Sequence, residues 1–217
     1  MANKPIKLAL AKGRLTDDFL QLIEQAGIHF SSYYEKSRKL TFLSDDGAFE
    51  MILVKAMDVG TYVENGAADI GVAGKDTLLE NGIDVYELVD LGFGKCKFSI
   101  AGPESYDFYQ QSPLTIATKY PKITNDYFKK QGKQIETIKL NGSVELAPIV
   151  GLSDVIVDIV ETGNTLRENN LQILEDMIEI SARLVVNKAS YKTKESRITP
   201  FINHVKEQLS KQGSVSS

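Results

Sequence analysis

The chain has 217 residues, 42% of them hydrophobic and 25% charged, with a net charge of −4. Such a balance predicts a substantial buried core and excludes both a disordered chain and a broad basic face for holding long nucleic acid. The single cysteine, Cys96, allows no internal disulfide, and no apolar run nears the ~18 residues of a membrane span.

The chain opens on polar residues, Met1 to Pro5, with no charged-then-apolar leader, so a soluble cytoplasmic protein is expected. Ile6 to Leu10 reads as a strand and Lys12-Gly13-Arg14 as the loop after it. Thr16 reads as a helix N-cap, with Phe19, Leu22, Ile23 and Ala26 at helical spacing and Gly27 closing the helix. Lys39 to Leu43 and Phe49 to Lys55 read as a hairpin about the turn Ser44-Asp45-Asp46-Gly47. A helix from Asp58 to Asn65, a strand from Ala68 to Ala73 and a short helix from Asp76 to Glu80 follow. Val85 to Leu91 and Lys97 to Ala101 are strands.

The alternation continues with a strand at Leu114 to Thr118, a helix at Asn125 to Gln131 and a strand at Gln134 to Leu140. Ser143 to Ile149 reads as a helix opened by a serine cap, Val155 to Val160 as an apolar strand, and Met177 to Val186 as one further strand. Ile198, Phe201, Ile202, Val205 and Leu209 share one face of a tail helix. Strands alternating with helices predict an α/β fold with a largely parallel sheet. No Pro/Ser-rich linker interrupts the chain, so two lobes crossed more than once are expected, with a ligand cleft between them.

The segment Asp158-Ile159-Val160-Glu161-Thr162-Gly163-Asn164-Thr165-Leu166 carries the most chemistry. An apolar strand feeds a tight turn at a helix start, which gathers the N–H groups of Thr162 to Thr165 into an anion nest. Gly163 permits the turn, and two threonine hydroxyls add donors. Asp158 and Glu161 beside a nest make sense for a ligand that also offers ribose hydroxyls or carries Mg²⁺. A 5-phosphoribosyl group has that combination.

Lys12-Gly13-Arg14 stands at a strand's C-terminal end, where open α/β sheets bind ligands, and Arg14 suits phosphate or pyrophosphate through its fork. Arg38 taken alone reads as a surface arginine. Lys75 and Asp76, at a helix start after the small-residue strand, are placed to touch a nucleotide; close helix–sheet packing accounts equally well for Gly66, Gly71 and Gly74. No G-x-x-x-x-G-K-[ST] loop and no G-x-G-x-x-G fingerprint occurs, and His29 and His204 lack partners at metal-ligand spacing.

Together these segments resemble the ATP phosphoribosyltransferase family in its short form. The likeness runs through Leu8-Ala9-Leu10-Ala11-Lys12-Gly13-Arg14, Ser37-Arg38-Lys39-Leu40, Gly66-Ala67-Ala68-Asp69-Ile70-Gly71, Ala117-Thr118-Lys119-Tyr120, Gly142-Ser143-Val144-Glu145-Leu146-Ala147-Pro148 and Glu161 to Leu166. The resemblance implies two lobes like a type II periplasmic binding protein, residues 1–94 with 181–217 forming one and 95–180 the other. It implies that Thr162 to Thr165 hold the 5-phosphate of phosphoribosyl pyrophosphate and that Asp158 and Glu161 face its ribose. Arg14 and Arg38 would neutralise the departing pyrophosphate, Mg²⁺ would accompany it, and N1 of ATP would attack the ribose C1. Relatives carry Arg-Pro where this chain has Lys55-Ala56, and Pro where it has Gly60; Lys55 keeps the charge without the fork. The short form further implies a regulatory partner similar to histidyl-tRNA synthetase in a hetero-octamer. Rival readings are a two-lobe solute-binding or sensor protein, a phosphoribosyltransferase acting on a free base, and a subunit with a decayed site.

Overall fold

The computed structural model describes residues 4–35, 38–104, 106–107 and 113–215. The chain divides into two compact units. Unit 1 comprises Met1–Leu78, Gly82–Gly94 and Ser181–Ser217; unit 2 comprises Leu79–Asn81 and Lys95–Ile180.

Unit 1 is built on a six-stranded sheet of β1 (Ile6–Ala11), β2 (Thr41–Leu43), β3 (Phe49–Val54), β4 (Ile70–Gly74), β5 (Tyr86–Asp90) and β11 (Ala182–Val186), in the order β2-β3-β1-β4-β11-β5. Strand alternation decides its two faces. Ile6, Leu8 and Leu10 of β1 join a core with Phe19, Leu20 and Ile23 of α1 (Arg14–Glu24) and Ile198, Phe201 and Val205 of α8 (Glu195–Val215). Ala9 faces the other way, against Val59 and Val63 of α2 (Val59–Glu64) and Leu78 of α3 (Lys75–Asn81). α2 packs so closely that a Cβ on Gly71 would lie 2.7 Å from Val63 and 2.9 Å from Val59. Close packing therefore accounts for that glycine. Gly60 is similar, since a Cβ there would meet Ile83 at 2.9 Å.

At the N-terminal ends of β1 and β4 lies a buried polar anchor. Asp69 accepts hydrogen bonds from Lys7 N–H at 2.9 Å, Ser190 Oγ at 2.6 Å and Lys194 Nζ at 2.7 and 2.9 Å. Ser190 lies in α7 (Lys188–Thr193), capped by Asn187, whose side chain accepts from Ser190 N–H at 2.8 Å. Burial alone would push the Asp69 carboxyl up, but the bonds from Lys194, Lys7 and Ser190 outweigh it and hold it low.

Unit 2 holds a five-stranded sheet of β6 (Cys96–Gly102), β7 (Leu114–Thr118), β8 (Ile135–Lys139), β9 (Val155–Val160) and β10 (Gln172–Ile180), in the order β10-β6-β9-β7-β8. One face packs on Ile123 and Phe128 of α4 (Pro121–Lys130). The other packs on Ala147 of α5 (Leu146–Ile149) and Leu166 of α6 (Asn164–Glu168).

Several expectations need correction. The sheets are mixed: β1 pairs in parallel with β3 and β4, and β7 with β8 and β9, while the remaining pairings are antiparallel. Met177 to Val186 is two strands in different sheets, separated at Ser181. Thr16 lies inside α1, which begins at Arg14 after Gly13, and its hydroxyl donates to the Ala11 carbonyl. Ser143 opens no helix; it takes φ 49°, and α5 starts at Leu146. α4 begins at Pro121, where a proline already fits the first helical turn, rather than at Asn125. Met1 to Asn3 and Ser37 lie outside the described residues. Among those described, no helix is long and apolar enough to cross a membrane.

Candidate active site

Each unit gathers its candidate residues at the C-terminal ends of parallel strands, for reasons of local geometry. In unit 2, β9 delivers the chain to Glu161 and Thr162, and Gly163 then adopts φ 71°, a left-handed conformation that suits glycine. α6 starts at once, with the Gly163 carbonyl accepting from Arg167 N–H at 3.1 Å. Leu166 anchors this short helix in the core at 5% exposure, which leaves Thr162, Asn164 and Thr165 exposed. A left-handed residue leading into a helical turn curls successive N–H groups towards one point, the geometry of an anion nest.

Asp158 lies on the same face of β9 as this helix and is half-buried. Its Oδ1 accepts from Ile159 N–H at 2.8 Å. Burial is the main force raising its carboxyl above the usual carboxylate range; Glu145 adds to it, while the Ile159 N–H and Lys119 oppose it. Glu145 precedes α5, and Lys119 follows the end of β7, the parallel neighbour of β9. Glu145 and Lys119 thus lie near enough to Asp158 to act on its charge. Sequence reasoning assigns no role to Glu145 or Lys119, although both sit in segments that carry the family likeness. Their place in those segments is the signal that could have found them, since spacing alone does not reveal which elements pack together. Glu161 is exposed at the start of the turn.

In unit 1, Lys12 and Gly13 follow the last residue of β1, Lys55 follows β3, and Lys75 opens α3 directly after β4. The three strands are parallel neighbours with Ala11 opposite Val54, so Lys12, Arg14, Lys55, Lys75 and Asp76 share one edge of the sheet. Gly13 takes φ 125° at the head of α1, and Lys12, Arg14 and Lys55 are exposed. The Leu40 carbonyl accepts from Leu53 N–H at 2.8 Å, which brings the chain at Arg38, also exposed, to the same edge. Lys75 is engaged by Glu87, with Nζ donating to both carboxylate oxygens at 2.6 and 2.8 Å. The Asp76 carboxylate folds back over Gly74, where a Cβ would meet Oδ1 at 2.1 Å. Lys75 and Asp76 are therefore occupied locally.

Mg²⁺ commonly keeps several waters and takes one or two carboxylates together with substrate phosphates. Among the described residues no group of three or more His, Cys, Asp or Glu could hold a metal ion, so a Mg²⁺ here would depend on substrate phosphates for most of its ligands.

Comparison with known proteins identifies the family. Residues 55–207 match the family model described as HisG: ATP phosphoribosyltransferase. An ATP phosphoribosyltransferase of Alkaliphilus metalliredigens is 53% identical over 206 residues, covering 95% of this chain and 99% of the relative. One from Oceanobacillus iheyensis is 52% identical, covering 93% and 97%. A solved ATP phosphoribosyl transferase (HisG:HisZ) complex from Thermotoga maritima contains a chain with TM-score 0.81 and 37% identity, covering 94% of this chain and 98% of that one. The periplasmic aliphatic sulphonate binding protein SsuA from Escherichia coli shares the fold at TM-score 0.61 and 10% identity, covering 99% and 76%. An end-to-end match in sequence and in fold has one reading: the chain belongs to the ATP phosphoribosyltransferase family.

Proposed function

We propose that the chain transfers the 5-phosphoribosyl group of phosphoribosyl pyrophosphate to N1 of ATP, releasing pyrophosphate, as the first step of histidine biosynthesis. The observation that carries this reading is the half-buried Asp158 on the strand that runs directly into the left-handed Gly163 turn and the start of α6. Thr162, Gly163, Asn164 and Thr165 meet the 5-phosphate through N–H and hydroxyl donors. Asp158, with Glu145 and Glu161 close in the chain or in space, accepts from the ribose hydroxyls.

In the reaction the N1–C1 bond forms while the bond from C1 to the pyrophosphate oxygen breaks, the electron pair leaving with the pyrophosphate. Adenine N1 is already a nucleophile, so no general base is needed to start the reaction. The barrier lies in charge separation: positive charge grows on the ribose and negative charge on the leaving group. Carboxylates at the ribose and cations at the pyrophosphate are the fitting response. Arg14 and Arg38, with Lys12 and Lys55, have the charge that such a role requires. Mg²⁺, bound with pyrophosphate, would add further neutralisation of the leaving group. Lys75 and Asp76, expected from the sequence to touch the nucleotide, are given no direct part, since Lys75 is engaged by Glu87 and Asp76 folds back over Gly74. The protein works in the cytoplasm, and histidine control reaches it through a second polypeptide resembling histidyl-tRNA synthetase, four of each in a hetero-octamer. The Thermotoga maritima relative was solved as a HisG:HisZ complex, which supports a two-chain assembly.

The test is direct. Incubation with ATP, phosphoribosyl pyrophosphate and Mg²⁺ should give N1-(5-phosphoribosyl)-ATP by mass spectrometry, with one pyrophosphate per adduct. Arg14→Ala should lower kcat by ~10²–10³, the range for loss of one electrostatic donor, with partial recovery in Arg14→Lys. Substrate binding without adduct would refute catalysis and favour a sensor.

A further inference from the structure

Arg167 lies in the last turn of α6, one turn beyond Gly163. Its Nη2 donates to Asn164 Oδ1, and its backbone N–H donates to the Gly163 carbonyl at 3.1 Å. Its Nη1 comes within 3.5 Å of the point that a Cβ on Gly163 would occupy. The side chain is exposed, yet it is folded back across the turn instead of extending into water. Leu166, the preceding residue, is buried at 5% exposure and fixes the face from which Arg167 projects.

This arrangement decides which end of the Asn164 amide is available. An asparagine side chain has an acceptor oxygen at one end and two N–H donors at the other. Left alone it rotates, and an oxygen turned towards a phosphate repels it. With Oδ1 committed to a guanidinium, the Nδ2 donors are turned away from the cation and the repulsive orientation is suppressed.

We propose that Arg167 is a positioning residue for the 5-phosphate. It holds Oδ1 of Asn164 so that Nδ2 is presented as a donor, and it ties the Gly163 turn closed from outside. The identity of the anion rests on the proposed phosphoribosyl transfer; the coupling between Arg167 and Asn164 does not.

The test is a double-mutant cycle on the full chain with Arg167→Ala, Asn164→Ala and the double variant, by titration with two probes, phosphoribosyl pyrophosphate–Mg²⁺ and inorganic phosphate. Each single change should weaken binding about tenfold, the scale for one donor to a charged acceptor, and the double variant should be no weaker than either single. In turnover, KM for phosphoribosyl pyrophosphate should rise with kcat and the KM for ATP little changed. Arg167→Lys, which keeps a donor for Oδ1, should recover most of the loss. The Asn164 side-chain amide resonances should lose their dispersion in Arg167→Ala. Additive losses would make Arg167 a direct phosphate ligand and overturn the proposal, as would unchanged affinity in Arg167→Ala. If wild type shows the coupling with inorganic phosphate but forms no adduct, the reaction assignment fails and the positioning role stands. If wild type binds neither probe, both fail.

Discussion

At the scale of single residues, Asp158 is held in a state that costs stability. Its carboxyl is raised mainly by burial, so the native state binds the proton more tightly than the unfolded chain does. Stability then falls as pH climbs from the ordinary carboxylate pKa through the raised one, and it stays lower above that window. Asp158→Asn removes the buried charge and is expected to raise the thermal midpoint at neutral pH, with the gain vanishing in acid, while weakening phosphoribosyl pyrophosphate binding. Thermal scans across pH, paired with titration, check both halves. Thr162→Val and Thr165→Val should each weaken phosphoribosyl pyrophosphate roughly 10- to 150-fold, the value of a hydrogen bond to a charged group, and leave ATP binding nearly intact by calorimetry. The loop is legible in the sequence because its chemistry is local: an apolar strand, a glycine and flanking hydroxyls in consecutive residues. Lys119 acts on Asp158 because β7 and β9 lie side by side, and Glu145 because Val144 and Ala147 on either side of it pack against β9; adjacency of that kind leaves no mark on spacing. Arg167 escapes notice for a simpler reason, since a basic residue in the last turn of a helix is ordinary.

At the scale of elements, the periodic segments are readable and the junctions are not. Val155–Val160 is a strand with the bounds its apolar run predicts, and the hairpin around Ser44 to Gly47 forms as its turn residues suggest. The run from Met177 to Val186 hides a change of sheet because only Ser181 separates the two strands and apolar residues recur on both sides of it. Thr16 and Ser143 are capping residue types put to other uses, a hydroxyl bond back to Ala11 and a left-handed turn. The Asp69 anchor ties α7 and the start of α8 to β1 and β4, and its removal should be felt across unit 1. Asp69→Ala leaves Ser190 and the Lys7 N–H without their acceptor, an expected loss of about 2–3 kcal/mol, discounted because the Lys194 side chain is 36% exposed. Chemical denaturation at neutral pH measures it. Because the Asp69 carboxyl is held below its usual range, its contribution is present above the unfolded pKa and lost as pH falls through the lowered one. The gap between variant and wild type should therefore narrow in acid.

At the scale of the whole molecule, the proposed two-chain assembly separates catalysis from control. The isolated chain is expected to turn over without regard to histidine, and inhibition is expected only after the regulatory chain is added. Initial rates against histidine concentration, with and without that partner, decide the matter; saturable inhibition of the isolated chain would place an effector site within these 217 residues.

The order β4-β11-β5 has a consequence for how the protein is made. β5 ends at Asp90 and, among the described residues, is bonded in its sheet only to β11, which begins at Ala182, roughly 90 residues later. At ~5–20 residues per second, the ribosome needs about 5–20 s to supply the missing strand. During that interval β4 presents an open edge and β5 waits unpaired. Nearly all of unit 2, from Lys95 to Ile180, is synthesised in the same interval and holds all of its own strands. The later-numbered unit is thus free to fold while the first, though begun earlier, must stay unfinished. The growing chain is most vulnerable to aggregation between those two moments, and a chaperone that guards sheet edges would find its work there.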